Sequence, residues 1–337
     1  MINFNCDYLE GVHPNIIKKI SETNMVQQQG YGFDDYTIEA KKMIKPLVEG
    51  DIWFIHGSTA INKLITKTAL KPFESIIASS KAHINTLETG AIEDAGHKIE
   101  TIRDEDGLLN AKDIEDFIIK KENDPSKFHK PKPKMVYITN ASETGTIYTK
   151  KRLTEISEVC KKHGLFLFMD GARLPYAISA SNNDLTLKEL TSLVDATYIG
   201  ATKCGAMFGE ALIINNDYLK EDFRYNIKCS GMLFAKTRFM GIQFTELFRD
   251  NLIFKLAKKA NDQADRIRRR LVEKGYNLTS ASTSNLIFVD IPVEKFLELR
   301  EAFNMWVMSY DDKICNVRIS TSWSTNDAYV NELIDNL

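Results

Sequence analysis

Two chemistries are missing from this 337-residue chain. The five cysteines (Cys6, Cys160, Cys204, Cys229 and Cys315) are scattered, with no CxxC pair and no histidine at ligand spacing. That argues against a disulfide framework and against zinc, and no metal is expected. No uninterrupted apolar run approaches the ~20 residues needed to span a bilayer. The opening Met1–Asp7 has neither a basic region nor an apolar stretch, so no signal peptide is expected and the chain reads as cytoplasmic. Neither sign of charge dominates. With 44 basic and 46 acidic residues, the formal net charge of −2 offers no general attraction to nucleic acid or anionic lipid. Arg266, Arg268, Arg269 and Arg270 fall in a helical stretch and read as a solvated face. There is no GxGxxG, which weakens the case for a nicotinamide enzyme, and there are no internal repeats. The expected partner is a small molecule, with no nucleic acid and no membrane.

What is present is alternation. Short β-rich runs (Asp51–Ile55, Ser75–Ala78, Lys98–Ile102, Met135–Ile138, Leu165–Met169, Ala196–Ile199 and Ala211–Ile214) are separated by helical patterns at Thr59–Lys71, Asn110–Lys121, Lys150–His163 and Leu187–Leu193. Strands spaced by helices predict an α/β protein with a mostly parallel, seven-stranded sheet flanked by helices. Lys120–Lys134, with Pro125, Pro131 and Pro133 among charges, reads as an exposed loop. From Leu233 to Lys274 the pattern is long and helical, with Gly275 as its stop. Strands at Asn285–Asp290 and Asn316–Ser320 complete a smaller C-terminal α/β unit. The boundary is expected near residue 250, with a large domain at 1–250 that includes an N-terminal arm and a small one at 251–337.

Parallel sheets gather ligand sites at the carboxyl ends of their strands, and two chemical groups fall there. Phe166-Leu167-Phe168-Met169-Asp170-Gly171-Ala172-Arg173-Leu174 delivers an aspartate and an arginine to a turn. Gly200-Ala201-Thr202-Lys203-Cys204-Gly205-Ala206 delivers a lysine. Pyridoxal phosphate needs this pair: an amine for the imine, and a carboxylate that keeps the pyridine nitrogen protonated so that the ring draws in electrons. Lys203 alone could be one more surface lysine, but its small apolar neighbours suit a cleft better than an exposed loop. Asp170 alone could cap a turn. Ile55-His56-Gly57-Ser58-Thr59-Ala60-Ile61-Asn62 follows a strand and opens a helix, so Gly57, Ser58 and Thr59 could present amides to a phosphate or form a plain N-cap.

These segments resemble the threonine aldolase and β-eliminating lyase group of pyridoxal-phosphate enzymes, which have the aspartate aminotransferase fold (fold type I). The resemblance runs in order along essentially the whole chain. It implies that Lys203 carries the cofactor as a Schiff base, that Asp170 faces the ring nitrogen, and that Arg173 helps hold the cofactor–substrate adduct. Gly57, Ser58 and Thr59 would cradle the phosphate with help from Thr202, Ser58 standing where the family has a glycine. His83, in Lys81-Ala82-His83-Ile84-Asn85-Thr86, matches the histidine stacked on the ring and is a candidate acid or base. Arg318, in Asn316-Val317-Arg318-Ile319-Ser320-Thr321, matches the clamp for the substrate α-carboxylate. Asp7 matches an N-terminal substrate-site residue, although Cys6 replaces the family's serine. Tyr31, in Gly30-Tyr31-Gly32-Phe33-Asp34, would come from a neighbouring subunit, so the active site is expected at the interface of a homodimer or homotetramer.

Glu88 lies where a family acid does, without an assigned role. Asn140–Thr146 is closer to the eliminating-lyase branch, and Lys228–Met232 only faintly echoes the aldolases' Gly-Gly-Met-Arg stretch. The implied reaction is cleavage of a β-hydroxy-α-amino acid of the threonine or allo-threonine type to glycine and an aldehyde through a quinonoid intermediate. The alternatives are a β-eliminating lyase or aminotransferase acting on another amino acid, or a catalytically silent cofactor-binding protein.

Overall fold

A computed structural model describes all 337 residues. Its centre is a seven-stranded sheet made of β1 (Asp51–Ile55), β2 (Glu74–Ser79), β3 (Ile99–Ile102), β4 (Lys132–Thr139), β5 (Phe166–Asp170), β6 (Ala196–Gly200) and β7 (Glu210–Ile214). Their spatial order is β1-β7-β6-β5-β4-β2-β3. Six strands run the same way; β7 is antiparallel to both of its neighbours, β1 and β6. Strand side chains alternate between faces, and the apolar ones divide accordingly. Val136, Ile138, Leu167, Met169 and Ile199 enter one buried cluster; Met135, Tyr137, Phe168 and Tyr198 enter another. Burial on both faces is what a covered parallel sheet requires.

Strand β4 starts inside the proline-bearing stretch that reads as a loop. Lys132 and Pro133 pair with Glu74 and Ser75, and a register shift follows between Ser75 and Ile76. The irregularity lies at the strand's entry, where a missing proline N–H costs least. The long helical pattern after Leu233 is also interrupted. Helices Arg238–Phe248 and Leu252–Glu273 are separated by a turn in which Asp250 and Asn251 have positive φ. Asp and Asn tolerate this conformation better than other non-glycine residues, so the break carries no Gly or Pro signature.

Helix Leu252–Glu273 serves two cores. Ile253, Ala257 and Ala260 pack with the large sheet, whereas Ala264, Ile267 and Leu271 pack with a four-stranded antiparallel sheet. That sheet consists of β8 (Asn277–Leu278), β9 (Leu286–Pro292), β10 (Trp306–Tyr310) and β11 (Ile314–Ser320), in the order β10-β11-β9-β8. The N-terminal residues join this second unit. Ile2 and Asn3 pair in parallel with Phe303 and Asn304, Phe4 is fully buried in the small core, and the Phe4 carbonyl accepts the Ser320 amide at 2.8 Å. Asp7 is thereby carried back over the large sheet.

Candidate active site

The carboxyl ends of β5 and β6 touch backbone to backbone. The Gly200 amide donates to the Gly171 carbonyl at 2.9 Å. A Cβ built on Gly171 would lie 1.6 Å from the Tyr198 carbonyl oxygen, and one on Gly200 would lie 2.3 Å from that of Ala172. Only glycine fits at either position. This close approach sets the exits toward Asp170 and Lys203 side by side.

Asp170 is 2% exposed. Its Oδ2 accepts the Tyr137 hydroxyl at 2.6 Å and the Asn62 amide at 3.3 Å, while Oδ1 accepts the Ala172 amide at 2.9 Å. Burial alone would favour the neutral acid. The donated hydrogen bonds and nearby His83 outweigh it, holding Asp170 below the usual carboxylate range. Asn62 also donates to Glu88 Oε1 at 2.7 Å, and the same oxygen lies 2.8 Å from His83 Nδ1. A carboxylate at Nδ1 favours the proton there, leaving the Nε2 lone pair for the cleft. Glu143 reaches in from Asn140–Thr146, its Oε1 accepting the His83 backbone amide at 2.9 Å and the Thr139 hydroxyl at 2.8 Å. Burial, with Asp170 nearby, raises its pKa.

Lys203 is held by its backbone: its carbonyl accepts the Tyr176 hydroxyl at 2.6 Å, and the Cys204 and Ala206 amides fold back onto the Ala201 carbonyl. Its Nζ lies 5.9 Å from the Tyr8 ring centroid. Burial, assisted by the Arg173 charge, depresses the lysine pKa, with Asp7, Asp170 and Glu210 opposing in part. Arg173 is itself neutralised: Nε and Nη2 form two parallel bonds to Asp7, at 2.8 and 3.0 Å. Asp7 is fully buried and also accepts the Asn285 amide at 2.9 Å. Burial opposes its charge, but Arg173 and Lys203 bring its pKa down to about 2.

Arg318 projects from β11 toward the same charges. One nitrogen donates to the Asn5 carbonyl at 3.1 Å, the guanidinium lies 4.9 Å from the Trp306 ring centroid, and Nε is buried without a partner. Burial first, then Arg173, lowers its pKa. A buried donor without an acceptor beside a second arginine is the donor set an anionic substrate group would satisfy.

The helix Ser58–Ala69 begins at Gly57 with no side-chain cap, so its first amides are open to an anion. A Cβ at Gly57 would meet nothing within 4 Å, which leaves room in front of those amides. Ser58 Oγ and the Ala201 and Thr202 amides instead converge on Glu210, at 3.2, 2.6 and 3.4 Å. An open helix start, a half-buried amine with a lowered pKa and an ionised buried carboxylate are what pyridoxal phosphate requires.

The structure brings the expected residues Gly57, Ser58, Thr59, Thr202 and Lys203 along one edge, His83 near Asp170, and Asp7 and Arg318 around Arg173. Tyr31 lies elsewhere within the chain. Its amide bonds the Ala235 carbonyl at 3.0 Å, its carbonyl accepts Arg224 at 2.9 Å, and Lys228 sits 4.7 Å over its ring. Not foreseen were Asn62, Tyr137, Glu143, Glu210 and Asn285. Asn62 ends the quoted helix-start motif and Glu143 lies in the quoted loop; the other three stand in no motif.

Such an arrangement, at the carboxyl edge of a largely parallel sheet, defines a pyridoxal-phosphate enzyme. Comparison with known proteins agrees. The family model for beta-eliminating lyase matches residues 4–293. Low specificity L-threonine aldolases of a Pseudomonas species (strain NCIMB 10558) and of Pseudomonas aeruginosa are 31% and 32% identical, each over 98% of this chain and 95% of their own length. The solved structure of Leishmania major threonine aldolase superimposes with a TM-score of 0.95 at 42% identity, covering 99% of this chain and 98% of that one. The chain belongs to the beta-eliminating lyase family and is a pyridoxal-phosphate-dependent lyase.

Proposed function

We propose that the protein cleaves the Cα–Cβ bond of a β-hydroxy-α-amino acid of the threonine or allo-threonine type, releasing glycine and an aldehyde. Support comes from the near full-length similarity to low specificity L-threonine aldolases and to the Leishmania major enzyme. In the structure, the carrying observation is the Asp170 carboxylate, held by Tyr137, Asn62 and the Ala172 amide, at a strand end joined to the one that delivers Lys203.

Bound pyridoxal phosphate would supply an aldehyde for the amine and a ring able to take up the electron pair of the breaking bond. Lys203 would hold it covalently, burial and the Arg173 charge lowering its pKa and so favouring the unprotonated amine. Asp170 would hold a proton on the ring nitrogen. Gly57, Ser58 and Thr59, with Thr202, would receive the phosphate, and His83 would lie against the ring. Arg318 would donate from its unpartnered Nε to the α-carboxylate and so orient the amino acid. Arg173 spends two nitrogens on Asp7 and retains Nη1 for the adduct; buried Asp7 acts on the substrate through Arg173. His83, its Nδ1 against Glu88, would take the β-hydroxyl proton at Nε2, directly or through water.

Purified enzyme incubated with threonine, allo-threonine, phenylserine, serine and cysteine tests this reading. Glycine and an aldehyde are expected; ammonia and a keto acid would assign the chain to β-elimination. We further propose a homodimer or homotetramer with Tyr31 entering the neighbouring site, a cytoplasmic location, and a domain division near residue 250 with Ile2–Phe4 clasped by the second unit. Sedimentation showing only monomer would refute the assembly.

A further inference from the structure

Glu210 has no part in the scheme above, yet it occupies its centre. It opens β7, the one reversed strand, so its position pairs with Ile55 on one side and Gly200 on the other. Ile55 lies two residues before the candidate phosphate cradle, and Gly200 immediately precedes the lysine segment. Its two oxygens span the gap: Oε1 accepts the Ser58 hydroxyl at 3.2 Å, and Oε2 accepts the Ala201 amide at 2.6 Å and the Thr202 amide at 3.4 Å. The side chain is 3% exposed. The carboxylate therefore satisfies donors that flank the place where the phosphate is expected.

A phosphate ester near neutral pH carries a charge of about −1.5 to −2. Seating it beside a buried carboxylate brings like charges together in a poorly solvated place, which favours the protonated form of the carboxyl. We propose that Glu210 is a proton-linked positioning residue for the cofactor phosphate: as the anion enters at Gly57–Thr59, Glu210 takes up a proton from solvent and then donates it in a hydrogen bond, keeping its grip on the Ala201–Lys203 segment. The proposal rests on the assignment of Ser58 and Thr202 to the phosphate.

The surroundings agree. Burial raises the Glu210 pKa to about 7, opposed by the Ala201 and Thr202 bonds and by Lys203. The other titratable groups facing it are Lys203 and the Tyr198 hydroxyl, whose ionisation Glu210 disfavours; His56, next after Ile55, stacks on Phe234 instead. Glu210 is the carboxyl of this cluster, and its raised pKa of about 7 leaves it able to gain a proton in the neutral range.

The test is binding to apo-enzyme of pyridoxal 5′-phosphate and of pyridoxal, which shares the aldehyde but lacks the phosphate, between about pH 7 and pH 9. The ratio of the two affinities cancels the titration of Lys203. That ratio is expected to fall with rising pH, approaching about tenfold per unit where one full proton is taken up. In Glu210→Gln, which keeps the acceptor for the Ala201 amide, the slope is expected to flatten. Calorimetry of the wild-type protein in buffers of different ionisation enthalpy should count close to one more proton absorbed with the phosphate compound than with pyridoxal. A ratio independent of pH, or an unchanged slope in Glu210→Gln, would overturn the proposal. Ser58→Ala separates the underlying assignment: it should weaken the phosphate compound by several-fold and leave pyridoxal unchanged. Equal effects on both would instead remove Ser58 from the cradle.

Discussion

Replacing Asp7 by asparagine breaks the buried ion pair at the site while leaving the candidate lysine in place. Both Asp7 oxygens bind Arg173, the side chain has no exposure, and its pKa is brought down from 3.8 to about 2. A displacement of that size means that folding favours the ionised form by about 2 kcal/mol. Because the folded pKa is the lower one, this contribution is complete well above pH 3.8 and is lost as pH falls toward 2. Asp7→Asn also strands a buried guanidinium, and breaking such a pair costs about 3–5 kcal/mol.

Urea unfolding of the apo-protein, followed by tryptophan fluorescence, should therefore show Asp7→Asn destabilised by about 3–5 kcal/mol at neutral pH. The gap to wild type should narrow by about 2 kcal/mol in acid, where wild-type Asp7 also loses its charge. Asp7→Asn combined with Arg173→Met should recover part of the loss, since an apolar replacement leaves no charge stranded. A neutral-pH loss below about 1 kcal/mol, or a gap that does not change with pH, would refute the inference that this ion pair is formed and desolvated.

Four further outcomes follow from the geometry. Lys203→Ala should abolish turnover and prevent borohydride from fixing cofactor to the protein; retained covalent labelling would refute the lysine assignment. Tyr137→Phe removes the 2.6 Å hydrogen bond to Asp170 and should lower kcat by about tenfold, equivalent to ~1.4 kcal/mol, with little change in substrate KM; equal kcat in both proteins would show that the carboxylate does not need this donor. Gly171→Ala should give insoluble or cofactor-free protein, because its Cβ would overlap the Tyr198 carbonyl; a well-folded variant would contradict the close approach of β5 and β6. Apo-protein should lose stability as pH rises from about 4.5 to about 7, because the raised Glu210 pKa makes its ionisation costly in the fold; Glu210→Gln should flatten that segment of the pH–stability curve.

How far the sequence reaches can be judged strand by strand. Asp51–Ile55 is an apolar run bounded by turn residues, and its observed limits are those the pattern predicts. Lys132–Thr139 begins three residues before its predicted start, because two prolines mask a strand entry that tolerates them. Trp306–Tyr310 was not expected at all: its side chains are exposed on an edge, so it lacks a buried-face pattern. The site divides the same way. Lys203, Asp170 and Arg318 stand in motifs whose residue types announce their chemistry. Tyr137 and Glu210 look like any other strand residue; only the lateral order of strands puts one beside Asp170 and the other beside Ser58. Asn285 reaches Asp7 across 278 positions, a juxtaposition no local pattern encodes.

The clasp at the amino terminus bears on how the molecule is made. Ile2 and Asn3 find their strand partners at Phe303 and Asn304, and Phe4 is capped by Ser320. Synthesis runs from the amino end onward, so Ile2–Phe4 must wait for residues about three hundred positions downstream before docking. During that interval the Arg173 guanidinium has no counter-charge from Asp7, and the cleft around Lys203 stays open to bulk water. The Asp7–Arg173 pair beside Lys203 is therefore completed only after Phe303 and Ser320 have been synthesised.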